Sequence, residues 1–362
     1  MHLFLPLTFL LPLSTGKASE TPASKAEVEG EMVALDTEVS ALARTQGFTT
    51  DDLSFWGFTR VNYAASGDLP AGTDIDYSAF AVDNARIYLD GNHGPAAVRL
   101  SADFASGSAT LLDAFARLVV TDGALLHVGQ FRTPFLATAQ VEANRNLFIL
   151  PTRNSLFYRV RDESRQGAML SIEHGPLHWN VAAQNGFDLT LDDLLISSRL
   201  ELDLVGEGMG DTEGAYGAPV EPRMTAGVAY SNDEAGDDGM ATAADVAFSM
   251  ARFYAQLEVV DYEADYTALD VAAGHILPTE LDAGRGDTTP ISLTCSHMLP
   301  GDDWEAGVRF EIFDDVLDRE LLTLGANYYV SGHDAKLQVN FSTESSNGDD
   351  ADLFGIGLTL SF

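Results

Sequence analysis

The stretch Asp352-Leu353-Phe354-Gly355-Ile356-Gly357-Leu358-Thr359-Leu360-Ser361-Phe362 decides how the rest of the chain is read. Phe354, Ile356, Leu358, Leu360 and Phe362 occupy every second position. A period of two sets them on one face of an extended strand, whereas a helix at 3.6 residues per turn would scatter them around its circumference. A water-soluble domain has little reason to end on an exposed phenylalanine, so this strand is expected to turn its apolar face to lipid.

The same period recurs upstream. Val98, Leu100, Ala102 and Phe104 oppose Arg99, Ser101 and Asp103, while Leu177, Trp179, Val181 and Ala183 oppose His178, Asn180 and Gln184. Ala306, Val308, Phe310 and Ile312 oppose Glu305, Arg309 and Glu311, and Leu337, Val339 and Phe341 oppose Lys336, Gln338 and Asn340. Roughly seventeen such runs can be placed between 55 and 362, one of them over 266–276. Bacterial single-chain barrels carry even numbers, so about sixteen strands are expected. The stretches 91–95, 122–123 and 332–333 read as tight turns. The connections 64–81, 133–164, 205–221 and 231–241 are long and are assigned together to the opposite end.

One-sided strands would also suit a sandwich or a propeller. Mid-strand charges at Arg86, Arg99, Asp103, Asp113, Arg117, Arg199, Glu201, Arg309 and Glu311 suit a hydrated lumen, and closure removes the unpaired edges of so large a sheet. The expected fold is therefore all-β: a transmembrane antiparallel β-barrel over 49–362, with a short helix before it.

Composition sets further bounds. The chain has 362 residues with 20 Lys and Arg against 55 Asp and Glu, a formal charge of −35, which would repel nucleic acid. Beyond the N-terminus no apolar run reaches the ~18 residues of a membrane-spanning helix. The apolar run 3–13, followed by small residues, reads as a secretory signal peptide over 1–18. Val28, Met32, Leu35, Val39 and Leu42 give 19–48 the spacing of a short periplasmic helix or coiled coil. Cys295 is the single cysteine, read as a small strand residue. The histidines are scattered singly, and no His-Glu-x-x-His, Gly-x-Ser-x-Gly or Walker loop is present. The acidic loop 233–238 lacks EF-hand spacing. Neither enzyme activity, cofactor nor metal is expected.

One stretch interrupts the alternation. After Gly129-Gln130-Phe131-Arg132-Thr133-Pro134-Phe135, Pro134 cannot donate to a ladder and the pattern lapses until Arg165-Gln166-Gly167. The connection holds Phe135, Leu147, Phe148, Ile149, Leu150, Leu156, Phe157 and Tyr158, too apolar to stay solvated. Arg145, Arg153, Arg159, Arg161 and Arg165 face only Glu142, Asp162 and Glu163 there, a local reversal of sign. Two readings follow: a folded-in constriction that meets anions, or a surface loop whose arginines pair with acidic neighbours.

These residues, with Trp179 and Asn185-Gly186, resemble the phosphate-selective porin family of Gram-negative outer membranes over about residues 49–362. The terminal aromatic is similar to the signal by which outer-membrane barrels are recognised for assembly. The resemblance implies an outer-membrane porin, a trimer among outer-membrane lipids, passing small hydrophilic or ionic solutes, including anions such as phosphate, by passive diffusion. It implies Arg145, Arg153, Arg159, Arg161 and Arg165 at the pore constriction, Arg132 in the hinge, and Arg86, Arg99, Arg117, Arg199 and Arg309 as a lumen ladder. The chain departs from that pattern in holding one lysine, Lys336, beyond residue 49 and more acids than bases. A mixed-charge or cation-preferring lumen stays open on that ground. Two other classes also stay open: a structural outer-membrane barrel tethered by its N-terminal helix, and a secreted soluble β binding module.

Overall fold

The computed structural model describes residues 52–67, 77–152, 164–186, 194–232, 240–262, 288–314, 319–346 and 349–362. Sixteen strands close into one antiparallel barrel. They are β1 Leu53–Gly67, β2 Tyr77–His93, β3 Ala96–Asp103, β4 Thr110–Thr121, β5 Ala124–Arg132, β6 Ser164–His174, β7 Leu177–Asn185 and β8 Leu194–Val205. The second half comprises β9 Arg223–Asn232, β10 Met240–Met250, β11 Phe253–Tyr262, β12 Ile291–Met298, β13 Trp304–Ile312, β14 Glu320–Ser331, β15 Ala335–Ser346 and β16 Asp349–Ser361. Each strand pairs with its neighbour in sequence, and β1 closes on β16 with Phe58 opposite Ser361 and Gly67 opposite Asp352. Closure leaves no ladder of unpaired backbone groups, the condition for a sheet to cross hydrocarbon.

The period of two decides which way each side chain points. On β16, Phe354, Ile356, Leu358 and Leu360 are exposed on the outer face while Thr359 is buried inside. On β13, Val308 and Phe310 are exposed outside, and Glu305, Arg309 and Glu311 are buried inside. Outward aromatic pairs mark both ends of β1: Phe55 with Phe362, centroids 6.0 Å apart, and Tyr63 with Phe80 at 5.0 Å. An apolar band between aromatic rims is the outer surface of a membrane barrel.

The helix expected in 19–48, the signal peptide over 1–18, the run over 266–276 and the acidic loop 233–238 lie outside the described residues. One grouping is corrected. The segment between β8 and β9, 206–222, lies at the same end as the tight turns between β2 and β3, β4 and β5, and β14 and β15. Length suggested the opposite end, but in an up-and-down barrel strand parity fixes the end of every connection. A long segment therefore stands at the mouth that otherwise carries tight turns.

Candidate functional site: the barrel lumen

The lumen is built from a hinge, a loop and the segment 206–222 between β8 and β9. At the hinge, Gly129, Gln130, Phe131 and Arg132 of β5 stand opposite Gly167, Gln166, Arg165 and Ser164 of β6. A Cβ on Gly129, whose φ is 133°, would lie 2.2 Å from the Ala114 carbonyl oxygen, and one on Gly167 would lie 2.1 Å from that of Ala183. Gln184 Nε2 donates to the carbonyls of Phe131 (2.9 Å) and Arg165 (3.1 Å), Asn185 Nδ2 to Gln166 Oε1 (3.1 Å), and Arg165 Nη1 to the Gly186 carbonyl (2.8 Å). Gly129 to Arg132, Ser164 to Gly167 and Gln184 to Gly186 thus form one contiguous patch at β5, β6 and β7.

From Thr133 the chain turns into the barrel. Phe135, Leu136 and Ala139 are buried against Leu195, Ala229, Ala241, Ala243, Val260 and Tyr262 on the walls of β8 to β11. A single-turn helix, α1 (Ala137–Gln140), places Thr138 so that its hydroxyl and amide donate to Glu258 at 2.8 and 3.3 Å. The chain then crosses to the other wall. Glu142 accepts from Arg132 Nη2 (3.0 Å) and from the Tyr88 hydroxyl (2.9 Å), and Arg86 Nη1 lies 3.7 Å away. Arg60 Nη1 donates to the Ala143 carbonyl at 3.1 Å. Lys336 Nζ donates to the Asn146 carbonyl (2.6 Å), and Asn327 and Gln338 to that of Leu147 (2.8 and 3.0 Å). In return Asn340 Oδ1 accepts from the amide of Ile149 at 2.8 Å. Backbone groups that a buried loop would leave orphaned are therefore met by the lumenal side chains.

The apolar knob Leu147-Phe148-Ile149 sits where the wall lacks side chains. Inward-facing Gly307 and Gly325 are cross-strand partners, and a Cβ on either would fall 2.8 Å from Leu147 Cδ2 or 2.7 Å from Phe148 Cε1. Gly357 leaves comparable room for Ile149, whose Cγ1 would stand 3.1 Å from an added Cβ.

Segment 206–222 enters from the other mouth and meets this loop. Buried Glu213 accepts from the Leu147 amide (3.0 Å) and from Arg309 Nη2 (2.6 Å), and its own amide donates to the Arg145 carbonyl (3.2 Å). The Ala215 amide donates to Glu305, and Ala215, Met209 and Tyr216 pack with Tyr254, Met298 and Tyr329. Arg309 joins both insertions: besides Glu213 it donates to the Leu150 carbonyl (3.0 Å) and Thr294 Oγ1 (3.2 Å) and stacks 4.5 Å over the Phe148 ring.

These contacts sort the arginines singled out in the sequence. Arg86, Arg199 and Arg309 are buried and ion-paired, Arg86 with Asp103 (2.9 Å), Arg199 with Asp245 (2.7 Å) and Glu201 (3.0 Å), and Arg309 with Glu213. Each also contacts inserted chain: Arg86 near Glu142, Arg199 at the Phe135 carbonyl and Arg309 at Glu213. Arg99 is 35% exposed and pairs with Asp90 at 2.6 Å, and Arg117 is exposed. Of the loop arginines, Arg145 is 41% exposed and pairs with Asp211, and Arg165 is half-buried. Arg153, Arg159 and Arg161 lie outside the described residues. Sequence reasoning missed Glu213, Glu258 and Arg60, and placed Glu142 only as a counter-charge of the loop arginines. The inward glycines of β13, β14 and β16 were a usable signal, because small residues at polar positions mark close approach by other chain.

The filling reaches most of the wall: Arg60, Arg86, Ser101 and Gln184 of β1, β2, β3 and β7 are buried. Inward side chains along β8 to β15, including Ser197, Glu258, Ser292, Glu305 and Gln338, are almost fully covered as well. Near the tight-turn end of β3, β4 and β7, Arg99, Arg117, His178 and Asn180 keep partial access. Among the described residues no group of three His, Cys, Asp or Glu side chains is placed to hold a metal.

His333, in the turn between β14 and β15, packs against the rings of Tyr216 (5.2 Å) and Tyr329 (5.5 Å). Burial, and then the charges of Lys336 and Arg145, push its pKa down to about 3 from 6.5. Between those values the unfolded chain binds more protons than the native one, so stability is full above about pH 6.5 and falls as pH drops toward 3. His333→Gln is expected to flatten that part of the profile, measured as melting temperature against pH in detergent.

No family model matches the chain, and no curated protein matches it in sequence. Solved structures do match. An anion-selective porin from Comamonas acidovorans superposes with a TM-score of 0.60 at 13% identity, over 86% of this chain and 99% of that one. The fold is that of the outer-membrane porins. A variant of the Rh. blastica porin gives 0.54 at 12% identity over 86% and 100% of the two chains. OmpT, an outer membrane protein of Vibrio cholerae, in its trimer form gives 0.54 at 13% identity over 86% and 99%. At such identities the likeness carries architecture alone.

Proposed function

We propose that the protein is a porin of a Gram-negative outer membrane, a non-enzymatic channel for passive diffusion of small hydrophilic or ionic solutes, anions included. The observation that carries this reading is the narrowed lumen: a sixteen-strand barrel, wide enough for an aqueous channel, into which chain folds from both mouths while Arg99 and Arg117 keep access to water. The passage then runs past Arg99 and Arg117, with Arg145, Arg153, Arg159, Arg161 and Arg165 as the loop-borne cations of the constriction. Guanidinium groups suit the planar oxygens of phosphate, sulfate and carboxylate. A homotrimer embedded in outer-membrane lipid is the proposed assembly, in keeping with the trimer form of the OmpT structure. Residues 1–18 are proposed as the export signal and 19–48 as a periplasmic segment.

Replacing Arg117 by glutamine is expected to lower the anion-to-cation permeability ratio about threefold to fivefold, the effect of roughly one charge across a hydrated gap. Reversal potentials in planar bilayers under a KCl gradient measure it. An unchanged ratio would take β4 out of the conduction path.

A further inference from the structure

Resting on that porin reading, we infer that the segment 206–222 carries a selectivity-determining residue of its own: Asp211, the resident counter-ion of Arg145. The pair is made by chain from opposite mouths, Arg145 from the loop after β5 and Asp211 from the segment after β8. Its geometry is imposed from nearby, because the Glu213 amide donates to the Arg145 carbonyl and the Glu213 carboxylate is held by Arg309. These bonds fix the Arg145 backbone, and Asp211 stands only two residues from the same anchor, so the two side chains stay within reach of each other.

The pair differs from the wall-to-insertion ion pairs described above in its access to water. Arg145 is 41% and Asp211 63% exposed, whereas the partners Arg309 and Glu213 are 2% and 5% exposed. A buried pair cannot exchange partners with a passing solute, because the abandoned charge would be left dry. An exposed pair exchanges readily, since water solvates whichever carboxylate is released. Beside Arg145 lies a cavity of about 440 Å³, lined by Trp56, Arg145, Thr212, His333 and Asp334 at the tight-turn mouth. It has room for a hydrated oxyanion. A solute carboxylate or phosphate reaches the guanidinium by taking the place of Asp211, and Asp334 on the same cavity adds repulsion that such a solute must overcome. Asp211 thereby sets how far Arg145 favours anions, and it supplies this control from the end of the barrel that ordinarily carries only tight turns.

The test is a double-mutant cycle in planar bilayers with the full chain, reading permeability ratio and partial block by succinate and, separately, by inorganic phosphate. Asp211→Asn keeps the shape and removes the charge. It is expected to raise anion preference and to tighten block about threefold at 0.1 M KCl, the scale of one exposed ion pair, with little change at 1 M KCl, where the Debye length is about 3 Å. Arg145→Gln is expected to abolish block, and Asp211→Asn added to it is expected to do nothing more. Block by succinate alone identifies carboxylates as the class served; block by both probes identifies oxyanions in general. If Asp211→Asn shifts selectivity equally with and without Arg145, Asp211 acts only as a mouth charge and the inference fails. If it shifts nothing in a channel that conducts, the inference fails while the porin reading stands. Absence of any conductance steps in the wild-type chain would remove both.

Discussion

Arg309→Ala is expected to release both lumenal insertions at once. The wild-type side chain joins Glu213 of segment 206–222 to the Leu150 carbonyl of the loop and covers Phe148. Its removal leaves a buried carboxylate without its cation, and breaking such a pair costs about 3–5 kcal/mol. The wall itself, closed by sixteen strands, does not depend on this contact. The expected variant therefore still assembles but conducts in larger and noisier steps, and its loop is cut by added protease. Arg309→Lys keeps the charge and loses the forked donors, so it is expected to fall between the two. Wild-type conductance and protease resistance in Arg309→Ala would show that the loop is held by its apolar knob alone.

Gly129→Ala is expected to damage the hinge rather than the plug. The new Cβ would meet the Ala114 carbonyl oxygen at 2.2 Å and Phe115 Cα at 2.7 Å, at a φ of 133° that an L side chain rarely adopts. Neither contact is with a flexible side-chain end, so β4 and β5 must part where the loop is launched. A cost on the order of 3 kcal/mol follows from backbone strain and overpacking together. The heat-induced shift of the folded band on gel electrophoresis should move to lower temperature. Gly94→Ala, in a turn where an added Cβ meets nothing within 4 Å though φ is positive, is the control.

Much of the architecture was legible in the chain, and the reason is physical. With lipid on one side and polar contacts on the other, every strand must alternate, and Val308-Arg309-Phe310-Glu311 shows this as plainly as Phe354 to Phe362. The hinge could also be read, because Gly129 and Gly167 stand where backbones approach too closely for any side chain. What covers the lumenal face could not. Lys336 meets the Asn146 carbonyl of the inserted loop, and Thr138 finds Glu258, so these pairings depend on closure and register rather than on local pattern. Arg199 and Arg309 look like channel-lining cations in sequence, since alternation reports only that a residue points inward. Segment 206–222 was assigned by its length, and its glycines and acids resemble those of an exposed loop. Only the parity of the strands brings it to the other mouth, where Glu213 and Asp211 meet the incoming loop.

A narrowed, water-filled channel across a membrane, as proposed above, conducts without any other protein. The most direct measurement is single-channel recording of the full chain, purified from outer membranes in detergent and added to a planar bilayer in a KCl gradient. Stable, discrete conductance steps are predicted, with a reversal potential that moves toward cation preference when Arg99 and Arg117 are both replaced by glutamine. Well-folded, membrane-inserted protein that gives no steps would contradict the account and leave a structural barrel in its place.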